Sequence, residues 1–368
     1  MKEDNRIDNP KHIVLYLAGI GNGGTEHVAV NVAEGLYAKG YKVTVVITAI
    51  HGDELPLNKG IDLIVTEPDD KEFNKGRLGN FRERCRTLKN IWLKEKPDAI
   101  ISFIGKNNMM ALLTTWGMKI PVYVAVRGEP TKEYYNAGLR LISKTLFAKA
   151  EGIIVQTHRM MEYFPHYLHK KCIILPNSVG KEFVNNKNDD RTPENTIVTV
   201  GRCNENKNQK MLIDAFIPIK DKYPETCVYI YGGGESHPGL LEYVKEKKIY
   251  DRVFLPGEIT DTKSLIKNAG VFVLTSDTEG MPNALIEAMA LGLPVISTDC
   301  PCGGPAELIK EGINGLLVPV RDTDALTAAL DKLLGDENLR RSLGEQASHI
   351  ADELEYNKVI DRWIRVIG

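Results

Sequence analysis

Thr275-Ser276-Asp277-Thr278-Glu279-Gly280-Met281-Pro282-Asn283-Ala284-Leu285-Ile286-Glu287-Ala288-Met289-Ala290-Leu291-Gly292 is the stretch from which the fold is read. The run before it, Val271-Phe272-Val273-Leu274, has the uninterrupted apolar character of a strand covered on both faces. Pro282 at a first helical turn and Gly292 past the last one bracket a helix of about ten residues, so the whole reads as strand, loop and helix. Amide groups at such a helix start lack intrahelical partners, and the helix dipole there favours negative charge. Gly280, Met281, Pro282 and Asn283 are therefore the expected cradle for an anion such as phosphate. Two acids flank the cradle, Glu279 in the loop and Glu287 two turns on. Carboxylates repel a bare phosphate, so a ligand that also offers hydroxyl groups is implied.

The pattern Glu-x7-Glu, with Gly280 and Asn283 inside it, resembles the signature of the retaining glycosyltransferases of family 4, which have the GT-B fold. The resemblance implies that Glu287 binds the ribose hydroxyls of a nucleotide, that Glu279 lies against the transferred sugar, and that the loop amides hold the diphosphate. Gly201-Arg202 followed by Lys207 is similar to the family's clamp on the leaving group, and it stands before Glu-x7-Glu in the family's order. An Arg can grip a diphosphate bidentately while a Lys acts on it as a point charge. Arg202, Lys207 and Glu279 are thus the expected catalytic residues.

With 368 residues and no internal repeat, the chain is sized for two domains, and 43% apolar residues suffice for two cores. The net charge of −2 hides an asymmetry, because residues 1–180 carry 25 Lys/Arg against 19 Asp/Glu. The first half is the side expected to meet anionic surfaces. The six cysteines are scattered without zinc spacing, apart from Cys300-Pro301-Cys302, which supplies only half a tetrahedral site. Free thiols in a reducing cytoplasm are expected. Met1 to Pro10 is charged and lacks the apolar core of a signal peptide or anchor, and no apolar run has the length of a membrane span.

From the amino end, His12 to Ala18 reads as a strand, Gly19 to Glu26 as a glycine-rich turn, Glu26 to Lys39 as a helix, and Lys42 to Ile47 as a second strand. The turn departs from the dinucleotide fingerprint Gly-x-Gly-x-x-Gly, and Thr48 and Ala49 stand where that fingerprint needs an acid. Gly23-Gly24-Thr25-Glu26 matches instead the family's Gly-Gly-x-Glu, which implies an approach of Gly23 and Gly24 to the donor diphosphate. Residues 71–96 hold nine Lys/Arg against three Asp/Glu, interleaved with Phe73, Phe81, Ile91 and Trp92. Such a segment is either a solvated helix face or a surface for anionic lipid. Leu139 to Lys149 is a second basic amphipathic segment. Strands at Asp98, Val122 and Gly152 end in loops bearing Asn107, Arg127 and Glu129, the expected contacts to acceptor or sugar. Many members of the family carry a His near these positions, and no counterpart is found. Pro176-Asn177-Ser178-Val179 resembles the family's Pro-Asn-x-Val element, and the polar stretch after it reads as a linker.

In the second half, Thr196 to Val200 opens with a strand, and a helix is expected around Lys210 to Lys222. Val228 to Tyr231 ends in three glycines, and Val253 to Gly257 leads to Glu258 and Ile259, which the resemblance makes the base-binding loop. No Asp-x-Asp metal motif is read at a strand end, and no metal or cofactor is expected beyond the donor itself.

The expected fold is α/β, GT-B, with two Rossmann-like domains facing across a cleft. Residues 1–180 form an acceptor domain, 181–195 a linker, 196–350 a nucleotide-sugar domain, and 351–368 a helix that the resemblance implies crosses back. The expected activity is metal-independent transfer of a hexose or N-acetylhexosamine from a UDP-sugar to a saccharide acceptor, lipid-linked, with retention, in cell-surface glycan synthesis. Peripheral contact with the inner face of a bacterial plasma membrane goes with that reading, and nucleic acid does not. A sugar-nucleotide 2-epimerase of the same fold and a non-catalytic nucleotide-sugar-binding module are the alternatives. The first would need an acid/base set for proton abstraction, and the second would be expected to lack Lys207 or Glu279.

Overall fold

Short runs of Val, Ile and Leu are distributed along the chain with helical stretches between them, and each run becomes one strand of a parallel sheet. The computed structural model describes residues 10–21, 23–50, 52, 54–67, 76–184 and 194–368. The chain divides into two units, Met1–Asn177 with Asn357–Gly368, and Ser178–Tyr356.

In the first unit the strands are β1 (His12–Leu17), β2 (Lys42–Ile47), β3 (Asp62–Val65), β4 (Ala99–Phe103), β5 (Val122–Ala125), β6 (Gly152–Val155) and β7 (Cys172–Ile174). They lie in the order β3-β2-β1-β4-β5-β6-β7, all parallel. Helices cover both faces of such a sheet, which is why β1 and β4 are buried along their whole length and show no alternation. Trp92 on helix Gly76–Glu95 is fully buried and sets its ring edge-on to Tyr16 at 5.9 Å between centroids. The last helix, Tyr356–Ile367, packs into this unit: Trp363 is fully buried 6.1 Å from the ring of Phe103. Ile360 lies so close to Gly35 that a Cβ there would meet it at 2.5 Å, so the helix–helix contact requires that glycine.

The second unit contains β8 (Thr196–Val200), β9 (Cys227–Tyr231), β10 (Val253–Gly257), β11 (Val271–Leu274), β12 (Val295–Thr298) and β13 (Leu316–Val318). Their order is β10-β9-β8-β11-β12-β13, again all parallel. Strand order reverses between β8 and β11, as it does between β1 and β4 in the first unit, and the loops leaving the carboxyl ends at such a point diverge to open a crevice.

Several expectations are revised. β3 and β7 were not anticipated as strands. The helix expected over Lys210 to Lys222 ends at Phe216 and tightens into a 3-10 turn over Ile217–Ile219, because Pro218 has no amide to continue the ladder. The division between the units falls after Asn177, and Val179 and Phe183 are buried in the core of the second unit. Residues 185–193 of the expected linker, 71–75 of the basic stretch and Asn22 of the glycine-rich turn lie outside the described residues.

Candidate active site

The loop leaving β8 is shaped by its own polar side chains. Asn204 accepts the amide of Lys207 at 2.9 Å and closes a 3-10 turn over Glu205–Lys207. Asn208 then takes a left-handed conformation (φ 47°), which Asn tolerates better than most residues, and helix Gln209–Phe216 begins. Gln209, 3% exposed, donates to the Arg202 carbonyl at 3.1 Å and ties the loop's first residues to its last.

The loop leaving β11 is sewn to it. Asn206 donates to the Thr278 carbonyl at 2.9 Å and accepts from the Thr278 hydroxyl at 2.6 Å, while the Asp277 amide donates to the Asn206 carbonyl at 2.7 Å. Thr275 donates to the Lys207 carbonyl at 2.8 Å. Arg321 holds Asp277 from the far side at 2.6 Å. The two loops are thereby one body.

Within that body Lys207 Nζ lies 2.5 Å from Glu279 Oε1, which also accepts from Ser276 Oγ at 2.6 Å. Lys207 is 23% exposed and Glu279 13%, so the pair is shielded from solvent yet still open to a ligand. Arg202 is elsewhere: its Nε reaches Glu235 at 3.2 Å, and the side chain is 72% exposed. Of the two expected clamp residues, Lys207 pairs with Glu279 and Arg202 with Glu235.

Helix Asn283–Ala290 starts one residue later than expected. Pro282 precedes it and lacks an amide, so it cannot donate to an anion, and that part of the expected cradle is corrected. Pro282, in the cap position, supplies no side-chain hydrogen bond to the helix. Leu285, Ala288 and Met289 face the core, and Gly292 ends the helix at φ 72°. Gly304 permits the closest approach in the site, since a Cβ there would fall 1.8 Å from the Gly280 carbonyl oxygen. Glu287 is half-buried, and its carboxyl is pushed up to about 7, first by loss of water and second by the nearby charge of Glu182. Glu258 stands beside Gly233, where a Cβ would meet its side chain at 2.7 Å, and Ile259 is half-buried against the core.

The cysteine pair is structural. Cys300 donates to the Ser276 carbonyl at 3.2 Å, and burial pushes its thiol up to about 12. Asp322-Thr323-Asp324, the Asp-x-Asp run nearest to β13, stands at the start of helix Thr323–Gly335 and not at a strand end, and Asp322 accepts the Ala325 amide at 2.9 Å.

In the first unit Gly23 caps helix Gly24–Ala38, accepting the His27 amide at 3.0 Å. Three further predicted residues follow β4 and β5, and a residue the sequence did not single out organises them. The Glu133 carboxylate accepts the amides of Gly105 and Gly128, each at 3.0 Å, and bonds to the Arg127 amide. It thus fastens the start of helix Gly105–Thr114, which follows β4 and bears Asn107 on a helical turn and not on the expected loop, to the loop after β5, which bears Arg127 and Glu129. Burial pushes the Glu133 carboxyl up, and those amides partly restore its charge. Arg127 is fully buried and donates to Asn177, which also accepts from Gln156 at 2.9 Å. Burial pulls the guanidinium down to about 9. Asn107 Nδ2, Arg127 Nη1 and Gln156 Oε1 are buried without hydrogen-bond partners. Glu129 is turned to Thr131 at 2.5 Å and Lys132 at 3.6 Å.

The sequence profile described as Glycosyltransferase Family 4 matches residues 22–183, and that described as Glycosyl transferases group 1 matches residues 180–349. The chain belongs to glycosyltransferase family 4. As a family 4 glycosyltransferase it resembles bacterial enzymes of glycan assembly over nearly its full length. It is 24% identical, over 97% of its length and 98% of the other's, to the Campylobacter jejuni enzyme named GalNAc-alpha-(1->4)-GalNAc-alpha-(1->3)-diNAcBac-PP-undecaprenol alpha-1,4-N-acetyl-D-galactosaminyltransferase. It is 25% identical, over 97% and 99%, to the amylovoran biosynthesis glycosyltransferase AmsD of Erwinia amylovora. The structure of Anabaena HepE in complex with UDP and glucose superposes with a TM-score of 0.78 at 16% identity, covering 96% of this chain and 98% of that one. The two parallel sheets are those of a GT-B glycosyltransferase.

Proposed function

We propose that this glycosyltransferase moves a hexosyl or N-acetylhexosaminyl group from a UDP-sugar to a saccharide carried on a lipid diphosphate, with retention at the anomeric carbon. The observation that carries the reading is the contact of Lys207 with Glu279 at the β8/β11 switch, beside the start of helix Asn283–Ala290. When donor arrives, Lys207 is to leave Glu279 for the diphosphate, and Glu279 is to take hydroxyl groups of the sugar. Arg202, on its flexible and exposed side chain, swings from Glu235 to the outer phosphate. As the bond from the anomeric carbon to the diphosphate oxygen breaks, charge gathers on that oxygen, and cations and amides already in place stabilise it without reorganising water. Glu279 is no glycosidase-type nucleophile, because such enzymes set two carboxylates about 5 Å apart across the sugar and Glu287 is assigned to the ribose. HepE holds UDP and glucose on the same fold, which supports the donor class. The Campylobacter relative, named for an undecaprenyl diphosphate-linked acceptor, supports the acceptor class. Among the described residues no helix is long and apolar enough to cross a membrane. The reading therefore has the protein reach such a lipid by peripheral contact at the inner face of the plasma membrane.

The deciding experiment incubates the protein with UDP-sugars, with and without a lipid extract. UDP release that depends on the extract is the expected result, and interconversion of the sugar without release would identify an epimerase instead. Treatment with EDTA is expected to leave turnover within twofold. A complete loss restored by Mg²⁺ would overturn cation stabilisation by Lys207 and Arg202 alone.

Proton linkage gives a further expectation. With the Glu287 carboxyl at about 7, ribose hydroxyls that donate to it favour its ionised form, so binding expels a proton below neutrality. Affinity for UDP-glucose, whose diphosphate does not titrate near pH 7, should fall as pH drops from 8 to 6. The fall should approach about tenfold per pH unit below neutrality. Calorimetry on the parent and on Glu287→Gln checks this, since the variant should bind weakly with no such slope. An equal slope in both would sink the assignment of Glu287 to the ribose.

A further inference from the structure

The structure assigns the face of the first unit formed by helix Ala137–Phe147 and its two neighbours to docking on an anionic lipid bilayer. Between Glu133 and Glu151 the chain carries Arg140, Lys144 and Lys149 and no acid. Helix Ala137–Phe147 turns Ser143 and Phe147 inward, which leaves Leu141 and Ile142 outside at 69% and 50% exposure. Adjacent leucine and isoleucine side chains bared to that degree present half or more of their apolar surface to the surroundings.

Aromatic rings border them. Lys149 stands 3.4 Å over the ring of Trp116, which places that exposed indole beside the carboxyl end of the helix. Tyr167, also exposed, donates to the Lys144 carbonyl at 3.3 Å and so sits along the same helix. Tyr135, 66% exposed, precedes its amino end. Two leucine-type side chains among Trp and Tyr rings, on a helix that carries cations and no acid, with Glu151 and Glu162 on the flanking segments, match the chemistry of a headgroup layer. Indole and phenol rings settle at its depth, the aliphatic groups enter the acyl boundary, and the cations meet lipid phosphate.

The other basic helix, Gly76–Glu95, lacks this combination. Its exposed apolar residues, Leu78, Phe81 and Leu93, are spread over about 22 Å of helix, and Arg84 is engaged by Glu67. Its described residues therefore carry no compact apolar patch of this kind.

The test is co-sedimentation of the full-length protein with vesicles of phosphatidylcholine alone or with about one-third phosphatidylglycerol. The parent protein should sediment with the anionic vesicles only, and less so as salt rises. The double change Leu141→Glu with Ile142→Glu should lower the bound fraction at least tenfold, with melting temperature and UDP-glucose affinity unchanged. Arg82→Glu with Arg86→Glu on the other helix should bind within about twofold of the parent. Three results would overturn the assignment: no sedimentation of the parent, unaltered binding by the Leu141/Ile142 variant, or a fall from dimer to monomer in that variant by light scattering, which would give the face to a second copy of the chain. Vesicle binding needs neither sugar nor acceptor, so a failure here leaves the proposed transfer reaction standing, and the reverse also holds.

Discussion

Lys207→Ala is expected to lower turnover on the order of 100-fold, the usual cost of removing one preorganised group that meets charge developing on a leaving oxygen. The side chain is a point charge 2.5 Å from Glu279, held at the end of a loop whose turn is fixed by Asn204 and Asn208. Deleting it does two things at once. The departing diphosphate loses a cation, and Glu279, still fixed by Ser276, faces that diphosphate as an uncompensated acid. Donor binding should therefore weaken along with the chemical step. Because the pair is only partly buried, the fold should survive with a melting temperature within a few degrees of the parent. Acceptor-dependent UDP release measures the effect, and turnover within threefold of the parent would remove Lys207 from the mechanism.

Glu279→Ala should separate binding from catalysis in the opposite sense. Turnover should drop at least tenfold, because the sugar loses the carboxylate that orients it and faces its developing positive charge. UDP itself should bind several-fold tighter, since Lys207 no longer has to part from an acid before meeting a phosphate. Glu279→Gln keeps a side chain of the same shape for Ser276 and the sugar, and it isolates the contribution of the charge. Weaker UDP binding by the Ala variant would mean that Glu279 serves the nucleotide rather than the sugar.

What could be read in advance depended on how each residue's surroundings are encoded. Strands such as β4 and β11, covered on both faces, are written as uninterrupted apolar runs, and the loops at their ends could be located directly. The two edge strands escaped for the same reason. β3 begins with Asp62 and is open to solvent, and β7 is a half-buried run of three residues, so neither carries the mark of a buried strand. The helix over Lys210 to Lys222 was overextended because its apolar spacing continues through Pro218, where the backbone cannot.

At the site, spacing singled out Lys207 and Glu279 separately. Their contact spans 72 positions and depends on a left-handed Asn208 and on the stitches between Asn206 and Thr278, none of which follows from a local pattern. Glu133 carries no motif in the sequence and ends the short helix Pro130–Glu133. Its use as a clamp exists only because β4 and β5 are neighbours and bring the Gly105 and Gly128 amides to one carboxylate.

The Lys207–Glu279 ion pair sets a condition on which anions can bind there. Orthophosphate, polyphosphate and free nucleotides are abundant in cells, and an unguarded lysine beside a helix start would be occupied by them much of the time. Here any such anion must first separate two opposite charges and leave an acid stranded, a loss that a bare polyanion cannot make good. On the proposed reading, a ligand with sugar hydroxyls would satisfy both partners together, and the ion pair of Lys207 and Glu279 would favour activated sugars over their abundant fragments.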